Sequence, residues 1–197
     1  MAIYHKPFTN YIWLAWFSLQ VPIILCKLID MLHFYPTWLY KPTDSPLHFA
    51  EKIQQNHIAT YNDPYVQWLP ATAVPSGHDS WIGLFLYIEL AFLLPTALYG
   101  VYRLGLDSRG RKQGTSGGDE LLFLVYAFET ALTTLVCVHD VFYWDKEVYS
   151  PEVMRSYQVN LLGPWLVIPS LMFVDMASRI MKRVRVADAA VQGKKMQ

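Results

Sequence analysis

Apolar residues in this chain gather into long uninterrupted blocks; they do not alternate with polar ones. Four blocks reach the roughly 20 residues that an α-helix needs to cross a bilayer. They lie at about 10–30, 81–103, 121–143 and 159–181. Aromatic residues mark the block ends, with Trp13, Trp16, Trp81, Tyr99, Tyr102, Tyr143 and Trp144 placed where interfacial rings sit. Core helices of soluble domains are shorter and carry a polar face. The pattern therefore predicts an all-α integral membrane protein built as a four-helix bundle. The first block lacks a small-residue cleavage site, and Lys27 and Asp30 follow its apolar run, so it reads as a retained span. The expected organisation is a single four-span membrane domain over 1–185 and a basic tail over 186–197, ending disordered.

Composition agrees. Of 197 residues, 53% are hydrophobic and only 16% are charged, where a soluble domain carries about 25% charged residues. The formal net charge is zero, which gives no electrostatic reason to expect nucleic acid as a partner. The sequence holds no phosphate-loop, dinucleotide-binding, HExxH or CxxC signature, so neither a cofactor nor a metal is expected. Cys26 and Cys137 both fall in apolar runs and read as buried thiols.

Loop charges set an orientation. Arg103, Arg109, Arg111 and Lys112 lie in the second loop, and Arg179, Lys182, Arg183, Arg185, Lys194 and Lys195 follow the fourth block. The other two loops are acidic. By the positive-inside rule both termini face the cytosol. The first loop, about 31–80, is then lumenal or extracellular, and it holds no N-x-[ST] acceptor. Asp119 and Glu120 open the third helix, where acids favour the helix dipole. The closing KKMQ is similar to a dilysine retrieval signal of the endoplasmic reticulum membrane and is equally read as a solvated tail.

Ionisable groups inside the blocks carry the chemistry. Asp175 and Arg179 stand at i, i+4 spacing and predict an ordinary helix pair. Lys27 and Asp30 either pair in the same way or, for Lys27, snorkel toward headgroups. His139 and Asp140 are expected to meet interfacial water. Glu89 lies two turns inside Trp81, too deep for easy snorkelling, and should face other helices. Two readings stay open for it: a structural hydrogen bond, for instance to Thr133 or Thr134, and a pocket acid. Asp30 is either a solvated helix-end acid or a partner of Glu89, since antiparallel neighbours can bring the two to one depth and let them share a proton. Pro22, Pro95 and Pro169 each interrupt a block and predict kinks that leave room for a lipid-accessible pocket.

Several ordered pieces carry a family resemblance. They are VPIILCKLID at 21–30 followed by Pro36, Leu39 and Tyr40; Asp63-Pro64; Glu89-Leu90, Phe92 and Leu94-Pro95; Thr133-Thr134-Leu135; and GPWLVIP at 163–169. In that order and spacing the sequence resembles the EXPERA family, nearest to its sigma-2 receptor and fungal mitochondrial-targeting branch and more distantly its emopamil-binding sterol isomerase. The resemblance implies a four-helix membrane fold with a pocket for sterols and cationic amphiphiles. It places an amine-pairing acid at Asp30, a second pocket acid at Glu89, a supporting hydrogen-bonding acid at Asp63, and pocket-lining positions at Thr134 and Trp165. It also implies a homodimer.

Departures from the pattern choose among activities. The isomerase places a His four residues before its first-span acid and an Asn three before its fourth-span Trp; this chain has Cys26 and Leu162 there. Moving a sterol double bond needs an acid and a base on opposite carbons, so no catalytic residue is assigned. A glutamine that sigma-2 members carry two residues before the second-span proline is Leu93 here. The leading expectation is a non-enzymatic endoplasmic reticulum membrane protein that binds a sterol or amphiphilic amine, acting in sterol handling or in regulating or targeting client membrane proteins. The alternatives are a sterol isomerase, and a membrane chaperone or assembly factor with an incidental pocket.

Overall fold

The computed structural model of the chain describes residues 8–31, 35–67, 80–108 and 114–195. Arg109, Arg111 and Lys112 lie outside the described residues, as do the side chains of Cys26, Lys27 and Asp30. All regular structure among the described residues is helical. α1 runs Thr9–Met31, α2 His48–Tyr61, α3 Ser80–Ile88, α4 Leu94–Ser108, α5 Gly117–Asp140, α6 Pro151–Ser156 and α7 Gly163–Lys195. π-helical turns join α3 to α4 over Glu89–Leu93 and α6 to α7 over Tyr157–Leu162. Among the described residues, three continuous stretches are long and apolar enough to cross a bilayer: Trp81–Gly105, Gly117–Tyr143 and Pro151–Gly193. α1 adds a shorter apolar stretch over Thr9–Leu25.

Both π-turns stand directly before an X-Pro step. Pro95 has no N–H to donate, and in a regular α-helix its ring would press on the carbonyl of Ala91. The chain widens by one residue first, so that the Leu94 N–H bonds the Glu89 carbonyl five residues back. Tyr157–Leu162 bears the same relation to Gly163-Pro164. Pro22 and Pro169, by contrast, sit inside uninterrupted α-helix. Of the prolines expected to disturb the blocks, only Pro95 is next to a π-turn, and the second π-turn belongs to Pro164.

The chain divides into two compact units, one of Met1–Leu14 with Tyr99–Gln197 and one of Ala15–Leu98. In the first unit α5 packs along α7. Phe123, Tyr126, Ala127, Thr130 and Thr134 recur at helical spacing and are buried on one face of α5, and α7 buries Met172 and Met176. Leu121, Val125, Phe128, Leu132 and Leu135 are exposed on α5, as are Val167, Leu171 and Val174 on α7. The inward face thus mixes Ala127, Thr130 and Thr134 with the rings and thioethers of Phe123, Tyr126, Met172 and Met176, while these outward residues are large and apolar. Membrane helices distribute their residues this way, because lipid accepts Leu and Phe while close helix contact favours Ala and Thr. In the second unit α1 buries Trp16, Phe17, Gln20 and Ile24 along one stripe. The following span buries Ile82, Leu86, Leu93 and Ala97, with the π-turn beginning after Leu86 and ending at Leu93.

Two expectations are corrected. The first loop contains a 14-residue helix, α2, which the polar composition of HFAEKIQQNHIATY concealed. The terminal segment is helical through Lys195, because MKRVRVADAAVQGKK is rich in residues of good helix propensity.

Candidate functional site

In the second unit, α2 ends at Asn62, which adopts a left-handed conformation with φ of 49°. That reversal aims Asp63 back at the chain. Its side chain is 4% exposed. Oδ1 accepts the amide of Tyr65 at 2.8 Å and that of Val66 at 3.3 Å, and Oδ2 meets His57 Nε2 at 2.7 Å. One carboxylate thus ties the last turns of α2 to the turn that follows. Tyr65, buried beside it, places its ring 5.6 Å from that of Trp81, the first residue of a membrane span. Trp81 in turn stacks edgewise on Phe85 at 5.2 Å. Replacing Asp63 by alanine is expected to loosen this corner by about 2 kcal/mol, since two amides and an imidazole lose a charged partner. Amide exchange at Tyr65 and Val66 should then accelerate on the order of 30-fold, and unchanged protection there would contradict the assignment.

Glu89 is the first residue of the π-turn and is half-buried within the apolar span Trp81–Gly105. Turns that depart from regular α-helix often hold functional groups. Asp30 lies on the last turn of α1, and its side chain is outside the described residues. Asp30, Asp63 and Glu89 all belong to the second unit, Thr134 and Trp165 to the first. Thr134 is buried on α5 and Trp165 is half-buried in the first turn of α7. The hydroxyl of Thr134 donates to the Thr130 carbonyl at 2.7 Å, and that of Thr133 donates to Glu129 and Thr130 at 3.0 and 3.2 Å. Both hydroxyl protons are therefore used on their own helix. Cys137 is half-buried and forms no disulfide. Leu162 closes the second π-turn and is buried. Among the described residues no three His, Cys, Asp or Glu side chains gather to hold a metal ion.

A polar network in the first unit went unread in the sequence. Arg179 and Asp175 do pair at i, i+4, through bonds of 2.6 and 3.1 Å. The same guanidinium also donates to Asn10 Oδ1 and Thr9 Oγ1, each at 2.7 Å, and Trp13 Nε1 donates to Asp175 at 2.7 Å. Glu120 is buried and takes two bonds from Arg183, at 2.6 and 2.9 Å, and one from Thr115 at 2.9 Å. Asp119 is buried too. It accepts from Tyr99 Oη at 2.6 Å and Arg103 Nε at 3.0 Å, and forms a capping box with Ser116. The acids at the start of α5 therefore do more than favour a helix dipole. They bind arginines that loop-charge counting treats only as topology markers. The readable signal was local: Tyr99 and Arg103 stand at i, i+4, and Ser116 precedes Asp119 at capping-box spacing.

The sequence has counterparts among known proteins. The family model described as EXPERA (EXPanded EBP superfamily) matches residues 49–176. Efficient mitochondria targeting-associated protein 19 of Saccharomyces cerevisiae is 24% identical over 157 residues, covering 79% of this chain and 83% of that protein.

Proposed function

The chain belongs to the EXPERA family of membrane proteins, and from that premise we propose that it binds a sterol or cationic amphiphile within the bilayer, without catalysis. The observation that carries the proposal is Glu89: a carboxylate kept inside a 25-residue apolar span, at the first residue of the turn where the helix widens. An acid at that depth costs several kcal/mol unless a partner rewards it. Glu89 already makes a contact within the chain, and its carboxylate can in addition accept from a ligand amine or hydroxyl. In this reading Glu89 and Asp30 supply the polar pole, and Asp63 braces the loop that joins their helices. Thr134 and Trp165 are proposed as ligand-facing positions of their own unit. Residence in the endoplasmic reticulum membrane with both termini cytosolic, and a homodimeric state, belong to the same proposal.

The yeast relative's name connects that protein with mitochondria targeting. It supports a second reading, in which ligand occupancy adjusts the handling of client membrane proteins. Cys26 and Leu162 stand where a sterol isomerase would need His and Asn, which weighs against proton transfer on a sterol carbon. Photo-crosslinking of the purified protein with a diazirine sterol tests the binding proposal. Labelled peptides are expected from 15–31 and 80–98, with competition by unlabelled sterol. Labelling spread evenly over all apolar helices and indifferent to competitor would overturn it. Rescue of a sterol-isomerase-deficient strain would overturn the non-enzymatic reading.

A further inference from the structure

We propose that α2 lies in the headgroup layer of the bilayer that the chain itself crosses, with Phe49 and Ile53 inserted among the lipids and Trp38 beside them. The inference rests on the membrane-spanning architecture and not on any bound ligand.

Both ends of α2 are fastened to chain that adjoins a helix end at the membrane. At its start, His48 Nδ1 meets the Tyr40 carbonyl at 3.2 Å, and Ala50 packs in a buried cluster with Tyr40, Leu47 and Tyr35. Tyr35 follows the last residue of α1, Met31, by four positions. At its far end, His57 is held by Asp63, Asp63 by the amide of Tyr65, and Tyr65 by the ring of Trp81. Trp81 begins the span Trp81–Gly105. A 14-residue helix is about 21 Å long, and one pinned at both ends to membrane-adjoining chain runs along the surface instead of standing away from it.

Its uncovered face has matching chemistry. Phe49 and Ile53 stand one helical turn apart and are 56% and 61% exposed, while Trp38 is 66% exposed. Lys52 lies next to Ile53 and is exposed, positioned to reach phosphate with its ammonium while its stem covers apolar surface. On a helical wheel, Ala50 and His57 fall on the side opposite Gln55, and Gln55 is exposed well away from Phe49 and Ile53. Aromatic and aliphatic side chains beside a lysine, on a helix fastened at both ends to chain that adjoins membrane spans, fit the boundary between headgroups and acyl chains. Water alone would leave three large apolar side chains uncovered next to that boundary.

An environment-sensitive nitrobenzoxadiazole label tests this. It is attached at Phe49→Cys or Ile53→Cys in the full chain carrying Cys26→Ser and Cys137→Ser, reconstituted in phosphatidylcholine nanodiscs, with Gln55→Cys as the comparison. Labels at 49 and 53 are expected to emit to the blue of the label at 55. Lipid spin-labelled near the headgroup should quench them several-fold more. Hydroxyl-radical footprinting of the unaltered chain in the same nanodiscs gives the reading without substitution, with slow oxidation of Trp38 and Phe49 expected. Water-like emission at both labels, or oxidation of Trp38 and Phe49 at the rate of the free amino acids, overturns the proposal. So does a disulfide-linked dimer of the Ile53→Cys chain without excess quenching, because the face then belongs to a second copy.

Discussion

Replacing Arg179 by alanine should cost about 3 kcal/mol of folding stability, the range found when one member of a largely buried ion pair is removed. In a thermal melt of the detergent-solubilised protein this is a fall in Tm on the order of 10 °C. Arg179 and Asp175 have side chains 12% and 24% exposed, so solvent replaces little of what is lost. The guanidinium is a junction: it bonds Asp175 twice on its own helix and reaches Thr9 and Asn10 at the start of α1. Its loss leaves Asp175 with the Trp13 indole and leaves the first turn of α1 without its charged partner. Arg179→Lys should recover only part of the loss, because one ammonium cannot reproduce a planar fork spread over several acceptors. Arg155→Ala, at an exposed position on α6, should change Tm little. Equal melting of the Arg179→Ala and Arg155→Ala proteins would show that the junction does not stabilise the fold.

Glu89→Gln should weaken binding of a cationic amphiphile by about ten- to a hundred-fold. A charge-assisted hydrogen bond contributes about 1.5–3 kcal/mol, and each 1.4 kcal/mol is a factor of ten. Glutamine keeps the shape and loses the charge, so the π-turn over Glu89–Leu93, which is a backbone feature set by Pro95, should persist. Binding of a neutral sterol should fall less, since an amide still offers a hydrogen bond to a hydroxyl. Glu152→Gln, at an exposed position in the first turn of α6, should leave both affinities unchanged. Equal amine affinity in the Glu89→Gln and unaltered proteins would remove Glu89 from the site.

The spans could be read from the sequence because lipid imposes a one-dimensional rule: a long apolar run must be helical to satisfy its own backbone. Trp81–Gly105 and Gly117–Tyr143 accordingly begin and end within a few residues of the blocks seen in the sequence. α2 could not be found that way, because Phe49 and Ile53 are diluted among ten polar or small neighbours, and the His57–Asp63 bond that closes the helix depends on the left-handed turn at Asn62. The arginine network was hidden for a different reason. Arg103, Arg179 and Arg183 each find a carboxylate, but the Arg103–Asp119 and Arg183–Glu120 pairs bring together distant positions that no local pattern joins. The π-turns were partly legible. Pro95 marked one of them, whereas Pro169 was expected to interrupt the fourth block and Pro164 was not singled out; the backbone places the second π-turn before Pro164 and leaves Pro169 in regular helix. Of the candidate site, Glu89 stood out in the sequence because a carboxylate inside an apolar run is costly; the backbone widening at that same residue was not foreseeable from hydropathy.

Native mass spectrometry of the protein released from mild detergent tests the central claim most directly, with the unaltered chain and the Glu89→Gln chain measured side by side. The account predicts a sterol-mass or amphiphile-mass adduct on the unaltered protein that is depleted in the Glu89→Gln protein at equal folding. A chain that flies without such an adduct, or an adduct retained in full by Glu89→Gln, would contradict it.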